Sequence, residues 1–225
     1  MAFKALGKIF SALASLTKMS SVPVLALFLC IAAPAAAEPF RIVGFGDSLM
    51  AGYQLAPGES FPEKLEAALR ARGHDVTVAN AGVSGDTTSG GLSRLDWSVP
   101  EETDLVILGL GANDMLRGLS PESTKHNLET MIVRLQERGM AVLLVGMYAA
   151  PNLGPDYQEA FDAIYPRLAR EHELPLVPFF LEGVAANRAL LLEDGMHPNA
   201  EGVDVMVENA LPAVERIIAE EKSGA

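Results

Sequence analysis

The sequence predicts an α/β domain built on a parallel β-sheet. Five apolar runs rich in β-branched residues recur at wide spacing, and most are apolar throughout rather than alternating. Such continuous runs are typical of strands buried on both faces of a parallel sheet. Helical patterns separate them, which favours right-handed βαβ units around one sheet. The predicted strands are 40–45, 75–80, 104–110, 140–147 and 174–180.

Start and stop signals place helices between these strands. Ser60 and Glu63 have the spacing of a capping box, in which each side chain bonds the other's backbone N–H. Ser120 followed by Pro121 is typical of a helix start. Pro166 is expected to kink or divide the third helix, because its ring removes a backbone donor. The predicted helices span 60–73, 120–139, 156–173 and 199–221.

Residues 1–37 have the pattern of an export signal. Three lysines and no acid precede Glu38, and an apolar run of 16 residues covers 22–37. The run contains two prolines and is short for a membrane-spanning helix. It ends in small residues, and Ala35 with Ala37 fits an A-x-A cleavage pattern. We expect cleavage after Ala37, with an uncleaved anchor as the alternative.

Cleavage would leave one exported domain, residues 38–225, in the periplasm or secreted. These 188 residues suit a single domain, and Cys30, the only cysteine, would be lost with the signal. Without the three signal lysines, 14 Lys and Arg stand against 29 Asp and Glu, a net charge of −15. That charge opposes binding to nucleic acid and docking on anionic lipid. We therefore expect no nucleic-acid partner, and no stable membrane insertion after cleavage of the signal. A monomer is the default, because the fold implies no obligatory partner.

Polar, glycine-rich segments follow four of the predicted strands. Ligands of parallel α/β sheets bind beyond the carboxyl ends of the strands, so these segments are candidates for a site. They do not match the G-x-G-x-x-G, P-loop or G-x-S-x-G patterns, which leaves nucleotide binding and the α/β-hydrolase elbow unsupported. The segments are 46–48, 80–88, 109–118 and 193–202.

Acyl transfer explains these residue types better. It needs a nucleophile, a base, a group that orients the base, and donors for an oxyanion. Ser48 is a candidate nucleophile, and of four histidines only His197 lies in a loop after the last strand. Asp194 precedes it by three residues, close enough to accept from the imidazole ring if the stretch forms one turn. A solvated loop histidine remains the alternative for this pair alone.

Three groups could hold the oxyanion. Gly85 stands in a tight turn, where a missing side chain lets a ligand approach the backbone N–H. Asn113 can donate from its side-chain amide, and the N–H of Ser48 opens the next helix. Taken singly, Asn113 and Asp114 could equally form a loop that caps the next turn.

Four blocks taken together resemble a known family. In order they read "GDSLMAGY" (46–53), "NAGVSGDTTSGGLSRL" (80–95), "GLGANDMLRG" (109–118) and "DGMHPNAEG" (194–202). They are similar to the blocks of the SGNH hydrolases, also called GDSL esterases, and most of all to the bacterial periplasmic thioesterase I, lysophospholipase and arylesterase group. The resemblance spans roughly residues 39–215, and "EAFDAIYPRLAREHELPLVPFF" (159–180) extends it beyond the blocks.

The resemblance implies a fold, an activity and roles for residues. It implies a three-layer α/β/α sandwich on a five-stranded, flavodoxin-like sheet. Ser48, His197 and Asp194 would be nucleophile, base and orienting acid, and Ser48, Gly85 and Asn113 the oxyanion hole, without metal or cofactor. Substrate contacts would fall on residues 115–120 and 148–154 and beside the histidine. The expected substrate-binding residues are Met115, Leu116, Tyr148, Ala149, Ala150 and Met196.

The function predicted in this way is a serine hydrolase of small-molecule esters or thioesters. Arylesterase, acyl-thioesterase and lysophospholipase activities all belong to that class. Two alternatives stay open at this point. One is an O-acetylesterase acting on carbohydrate, and the other is a non-catalytic acyl- or glycan-binding module on the same scaffold.

Overall fold

A computed structural model describes residues 38–224. The predicted signal peptide and Cys30 lie outside the described residues. Five parallel strands form one sheet in the order β2-β1-β3-β4-β5, the flavodoxin-like order, so the predicted fold class is confirmed. The strands are β1 (Phe40–Gly46), β2 (Val76–Gly82), β3 (Leu105–Gly109), β4 (Ala141–Val145) and β5 (Leu176–Val177).

Strand β5 is much shorter than the predicted 174–180. Only two residues pair with β4, because Pro175 and Pro178 flank them and proline has no N–H for the ladder. The Pro175 carbonyl still accepts from the N–H of Leu144. The apolar run thus marks a partly buried edge segment, of which a short part is a strand.

Helices cover the sheet in two layers. Helices α2 and α8 pack on each other and on the sheet, whereas α3, α5 and α7 form a second group that also contacts strands. Within residues 38–224, none of the helices combines the length and the apolar character needed to cross a bilayer. The helices are α1 (Ser48–Ala51), α2 (Phe61–Ala71), α3 (Thr88–Ser98), α4 (Ala112–Leu116), α5 (Pro121–Glu137), α6 (Pro155–Asp162), α7 (Ile164–Glu171) and α8 (Ala200–Gly224).

Local signals correctly predicted the starts of α2 and α5. The capping box of Ser60 and Glu63 begins α2, and Ser120 caps α5. The predicted helix 156–173 is divided at Ala163, and Pro166 lies in the first turn of α7. The break comes before the proline because its ring would crowd the carbonyl four residues earlier, at the end of α6.

Helix α3 has no counterpart among the predicted helices. Gly90 and Gly91 lower the helix propensity of its first turns. Tertiary packing overrides this, since a Cβ on Gly91 would lie 2.2 Å from the Leu110 side chain. The helix can pack this closely on the sheet only with glycine at that position.

The strand register aligns the polar segments at one edge of the sheet. Gly46 pairs with Gly82 on one side and with Gly109 on the other, so β1, β2 and β3 end at the same level. Ser48 and Ser84 each follow two residues later, and Ala112 begins α4 three residues after Gly109. Residues from three different strands therefore emerge next to one another.

Candidate active site

Ser48 begins a one-turn helix directly after β1. The Asp47 side chain accepts a 3.0 Å hydrogen bond from the N–H of Leu49 and so caps α1. The N–H of Ser48 lies in the first turn, where helical N–H groups have no intrahelical partner. The turn thus presents a hydroxyl and a free donor at the wall of a cleft.

A chain of hydrogen bonds connects Ser48 to the loop before α8. The Ser48 hydroxyl oxygen lies 2.9 Å from His197 Nε2, and His197 Nδ1 lies 2.7 Å from Asp194 Oδ2. Because a carboxylate only accepts, the proton of that second bond is on Nδ1, which leaves Nε2 free to accept from the serine hydroxyl. The three side chains have the connectivity of a nucleophile, a base and an orienting acid.

Asp194 is held as an anion by its own turn. Asp194 Oδ1 accepts from the N–H groups of Met196 at 2.9 Å and His197 at 3.0 Å. These backbone bonds, with the imidazole bond, lower the pKa of Asp194 to about 2. The carboxylate therefore stays ionised at neutral and mildly acidic pH.

Asn113 lies at the start of α4 and points its amide toward Asp47. Asn113 Nδ2 donates to Asp47 Oδ2 at 3.3 Å. Asp47 is almost fully buried, and burial raises its pKa to about 6, although the bonds from Leu49 and Asn113 act in the opposite direction. An ionised Asp47 can accept only, so it selects the amide orientation that places the NH₂ group of Asn113 on this side.

Gly85 occupies a turn after β2 with a φ of 82°. Its N–H has no hydrogen-bond partner among residues 38–224. The following residue, Asp86, pairs at 2.6 Å with Arg94 of α3, whose guanidinium also donates to the carbonyls of Ala81 and Gly46. A buried arginine thus ties this turn to the ends of β1 and β2.

The cleft beside Ser48 has a volume of about 330 Å³. Of the predicted substrate-binding residues, Met115, Leu116 and Met196 line it. The predicted catalytic and oxyanion residues Ser48, Gly85, Asn113 and His197 also line it. The remaining wall residues were not predicted, although Leu49 and Tyr53 belong to the first block. The cleft is lined by Ser48, Leu49, Tyr53, Ser84, Gly85, Ala112, Asn113, Met115, Leu116, Met147, Leu181, Met196 and His197.

Tyr148, Ala149 and Ala150 are not among the residues that line this cleft. Tyr148 packs against Phe179, with ring centroids 4.9 Å apart, and the N–H of Ala149 donates to Asp162 of α6. The chain leaving β4 thus turns toward α6, and the residue that reaches the cleft from this segment is Met147. Sequence position alone could not place that turn.

Tyr53 is the aromatic neighbour of the histidine. Its ring centroid lies 4.4 Å from that of His197, with the planes tilted by 37°. The other histidines lie elsewhere. His74 pairs with Glu215, His126 is exposed on α5, and His172 is partly buried near Glu129.

No cluster of three or more His, Cys, Asp or Glu side chains suited to a metal ion occurs within residues 38–224. The carboxylates next to the cleft are committed to other partners. Asp194 holds the histidine, and Asp114 accepts from both the N–H and the hydroxyl of Thr88. The prediction of cofactor-free chemistry stays a prediction.

Comparisons with known proteins agree on one family. Residues 45–205 match the model of the GDSL-like lipase/acylhydrolase family. The chain is 40% identical over 198 residues to an arylesterase of Vibrio mimicus, covering 88% of this chain and 94% of the relative. It is 35% identical to thioesterase 1/protease 1/lysophospholipase L1 of Escherichia coli (strain K12), with coverages of 86% and 93%. The solved structure of AlinE4, an SGNH-hydrolase family esterase, aligns at 49% identity with a TM-score of 0.68, covering 81% of this chain and 98% of that one.

Proposed function

Because the chain belongs to the family of GDSL-like lipases and acylhydrolases, we propose that Ser48, His197 and Asp194 carry out its reaction. The chain is an esterase of the arylesterase, thioesterase and lysophospholipase type. The observation that carries the residue assignment is the continuous hydrogen-bonded path from Asp194 through His197 to the Ser48 hydroxyl, at 2.7 and 2.9 Å.

In the first half of the proposed reaction the enzyme is acylated. His197 Nε2 takes the proton of the Ser48 hydroxyl as its oxygen attacks the carbonyl carbon of the ester. The carbonyl oxygen becomes an oxyanion, which the N–H groups of Ser48 and Gly85 and the amide of Asn113 stabilise. His197 then gives its proton to the leaving alkoxide or thiolate, and Asp194 stabilises the imidazolium in between.

In the second half a water molecule releases the acid. His197 takes a proton from the water as the hydroxide attacks the acyl carbon. The same donors hold the second oxyanion, and collapse of the intermediate returns the proton to the Ser48 oxygen. A carboxylic acid leaves and the resting enzyme is restored, so every proton is accounted for without a metal.

The lining of the cleft supports an acyl or aryl group as the part of the substrate that is bound. Met115, Met147 and Leu181 form its walls together with Leu49. Apolar walls favour a hydrocarbon chain or ring over a carbohydrate, because sugar hydroxyls would lose hydrogen bonds to water on entering. A series of p-nitrophenyl esters and acyl-CoAs of rising chain length tests this. A strict preference for acetate would instead favour the carbohydrate O-acetylesterase.

Replacing the nucleophile tests the residue assignment. Ser48→Ala should lower kcat for p-nitrophenyl esters by several powers of ten, as expected for a residue that acts as one unit with its base. A fluorophosphonate probe should label the wild-type chain at Ser48 and leave the variant unlabelled. Ser93→Ala, an exposed serine on α3, is the matched control and should behave as wild type. Near-normal turnover by Ser48→Ala would refute the assignment.

We also propose that the enzyme is exported and acts as a monomer on small-molecule esters. The lysine-rich start, the 16-residue apolar run and the small residues before Glu38 support export. The acidic domain supports an ester substrate that carries no large negative charge.

A further inference from the structure

Arg117 joins the two segments that carry the proposed oxyanion donors. It follows the last residue of α4, the helix that holds Asn113 in its first turn. Its guanidinium crosses to the turn after β2 and donates from Nη2 to the carbonyl oxygen of Gly85 at 2.7 Å. The distance is that of a charge-assisted hydrogen bond, the stronger class.

The turn at Gly85 needs a restraint of this kind. Glycine has no Cβ and can adopt a wide range of backbone dihedral angles, so local sterics restrict the direction of its N–H only weakly. Within the turn, the N–H of Asp86 donates to the Val83 carbonyl, but the N–H and the carbonyl oxygen of Gly85 have no backbone partner among residues 38–224. Of the atoms around a Cβ built on Gly85, only Arg117 Nη2 comes within 4 Å, at 3.8 Å.

A second bridge between the same segments lies deeper. Asp114, next to Asn113, accepts from the N–H of Thr88 at 2.8 Å and from its hydroxyl at 2.6 Å. This buried bridge fixes the base of α3 against α4, three residues beyond Gly85. The contact from Arg117 fixes the exposed end, so the segment with the glycine donor is held on both sides.

We propose that Arg117 is a positioning residue for the oxyanion hole. By binding the carbonyl oxygen of Gly85, it holds this residue at a fixed distance from α4. At that distance the Gly85 N–H and the Asn113 amide can donate to the same oxygen. Arg117 is exposed and forms no ion pair with a carboxylate among residues 38–224, so its contact with Gly85 is the bond that orders it. The proposal rests on the proposed function, because it concerns donors of that reaction.

Steady-state kinetics of Arg117 variants test the proposal. Oxyanion donors act on the transition state more than on the bound ester, so Arg117→Ala should lower kcat and leave KM nearly unchanged. Deleting one donor outright typically costs about 10²–10³ in kcat, and loosening one should cost less, about tenfold. Arg117→Lys retains a charged donor and should recover part of kcat. Guanidinium chloride at low millimolar concentration should restore part of the activity of Arg117→Ala.

The controls separate this role from others. Arg167→Ala removes another exposed arginine, which pairs with Glu171 on α7 and is far along the chain from Arg117. This variant should keep the wild-type kcat and KM with or without guanidinium. Unchanged kcat in Arg117→Ala would overturn the proposal, as would a rise in KM alone, which would indicate a substrate contact instead. A fall in kcat accompanied by an equal loss of folded protein in circular dichroism would also overturn it. An inactive wild-type enzyme would instead refute the proposed function.

Discussion

At the scale of single residues, the two roles of Asp47 conflict with its burial. It caps α1 and orients Asn113, and both require an ionised carboxylate in a buried position. Burial penalises that charge, which is why its pKa rises to about 6. Because this is above the ordinary value of 3.8, the folded state binds the proton more tightly than the unfolded chain does. The associated stability is full below about pH 3.8 and is lost as the pH rises through about 6.

Asp47→Asn should therefore raise the free energy of unfolding but lower kcat. At pH 8 the free energy of unfolding of the variant should exceed that of wild type by up to about 3 kcal/mol, for a pKa shift of about two units. The variant should therefore unfold at a higher urea concentration. The difference should vanish near pH 4, where the wild-type carboxyl is protonated. An Asn side chain can present NH₂ to Asn113, which would then turn its own NH₂ away, so kcat should fall.

Urea denaturation at the two pH values and ester kinetics at pH 8 measure these effects. Asp96→Asn, at an exposed position on α3, is the control and should change neither quantity. Equal stability of Asp47→Asn and wild type at pH 8 would show that the buried charge carries no penalty.

At the scale of elements, α3 holds the ends of β1 and β2 together through Arg94. The guanidinium bonds to Asp86 at 2.6 Å and stacks over the Phe45 ring at 4.1 Å. It also donates to the carbonyls of Gly46 and Ala81, one from each strand end. A helix with two glycines in its first turns is thereby fixed to the edge of the sheet that carries the site.

Arg94→Met should lower the free energy of unfolding by about 3–5 kcal/mol, because it leaves the nearly buried Asp86 carboxylate uncompensated. Adding Asp86→Asn should recover part of this loss but not all of it, since the two strand-end carbonyls stay without their donor. Urea unfolding of the single and double variants measures both terms. The matched control is Arg72→Met at the more exposed pair with Glu215, which should cost at most about 1 kcal/mol. Equal losses at the two pairs would contradict the role given to Arg94.

At the scale of the whole molecule, residues 38–225 should carry the esterase activity without residues 1–37. The core runs continuously from β1 to α8, and the triad joins residues near its two ends. A chain that starts at Glu38 should therefore match the kcat of the enzyme produced from the full sequence. Producing the shortened chain in the cytoplasm and the full-length chain by export, then comparing their masses and kinetics, checks this. A shortened chain that is soluble but inactive would show that residues before Glu38 contribute to the site.

Much of the fold and of the candidate site could be predicted from the sequence, because both rest on local patterns. Continuous apolar runs indicate buried parallel strands. Cap residues indicate helix starts, because the cap bonds only backbone groups of its own first turn. Asp194 and His197 lie three residues apart, so one turn is enough to bring them together. Ser48, Gly85 and Asn113 could be assigned because four ordered blocks carry them.

What the sequence by itself determined is thus the alternation of elements and the residue types at the strand ends. The tertiary structure alone decided which side chains face each other across those ends. It places Met147 and Leu181 in the cleft and turns Tyr148 away from it. It also brings Arg117 to Gly85, and Arg94 to the ends of two strands. These contacts join residues far apart in the chain, and they depend on strand register and helix packing, which no local pattern specifies.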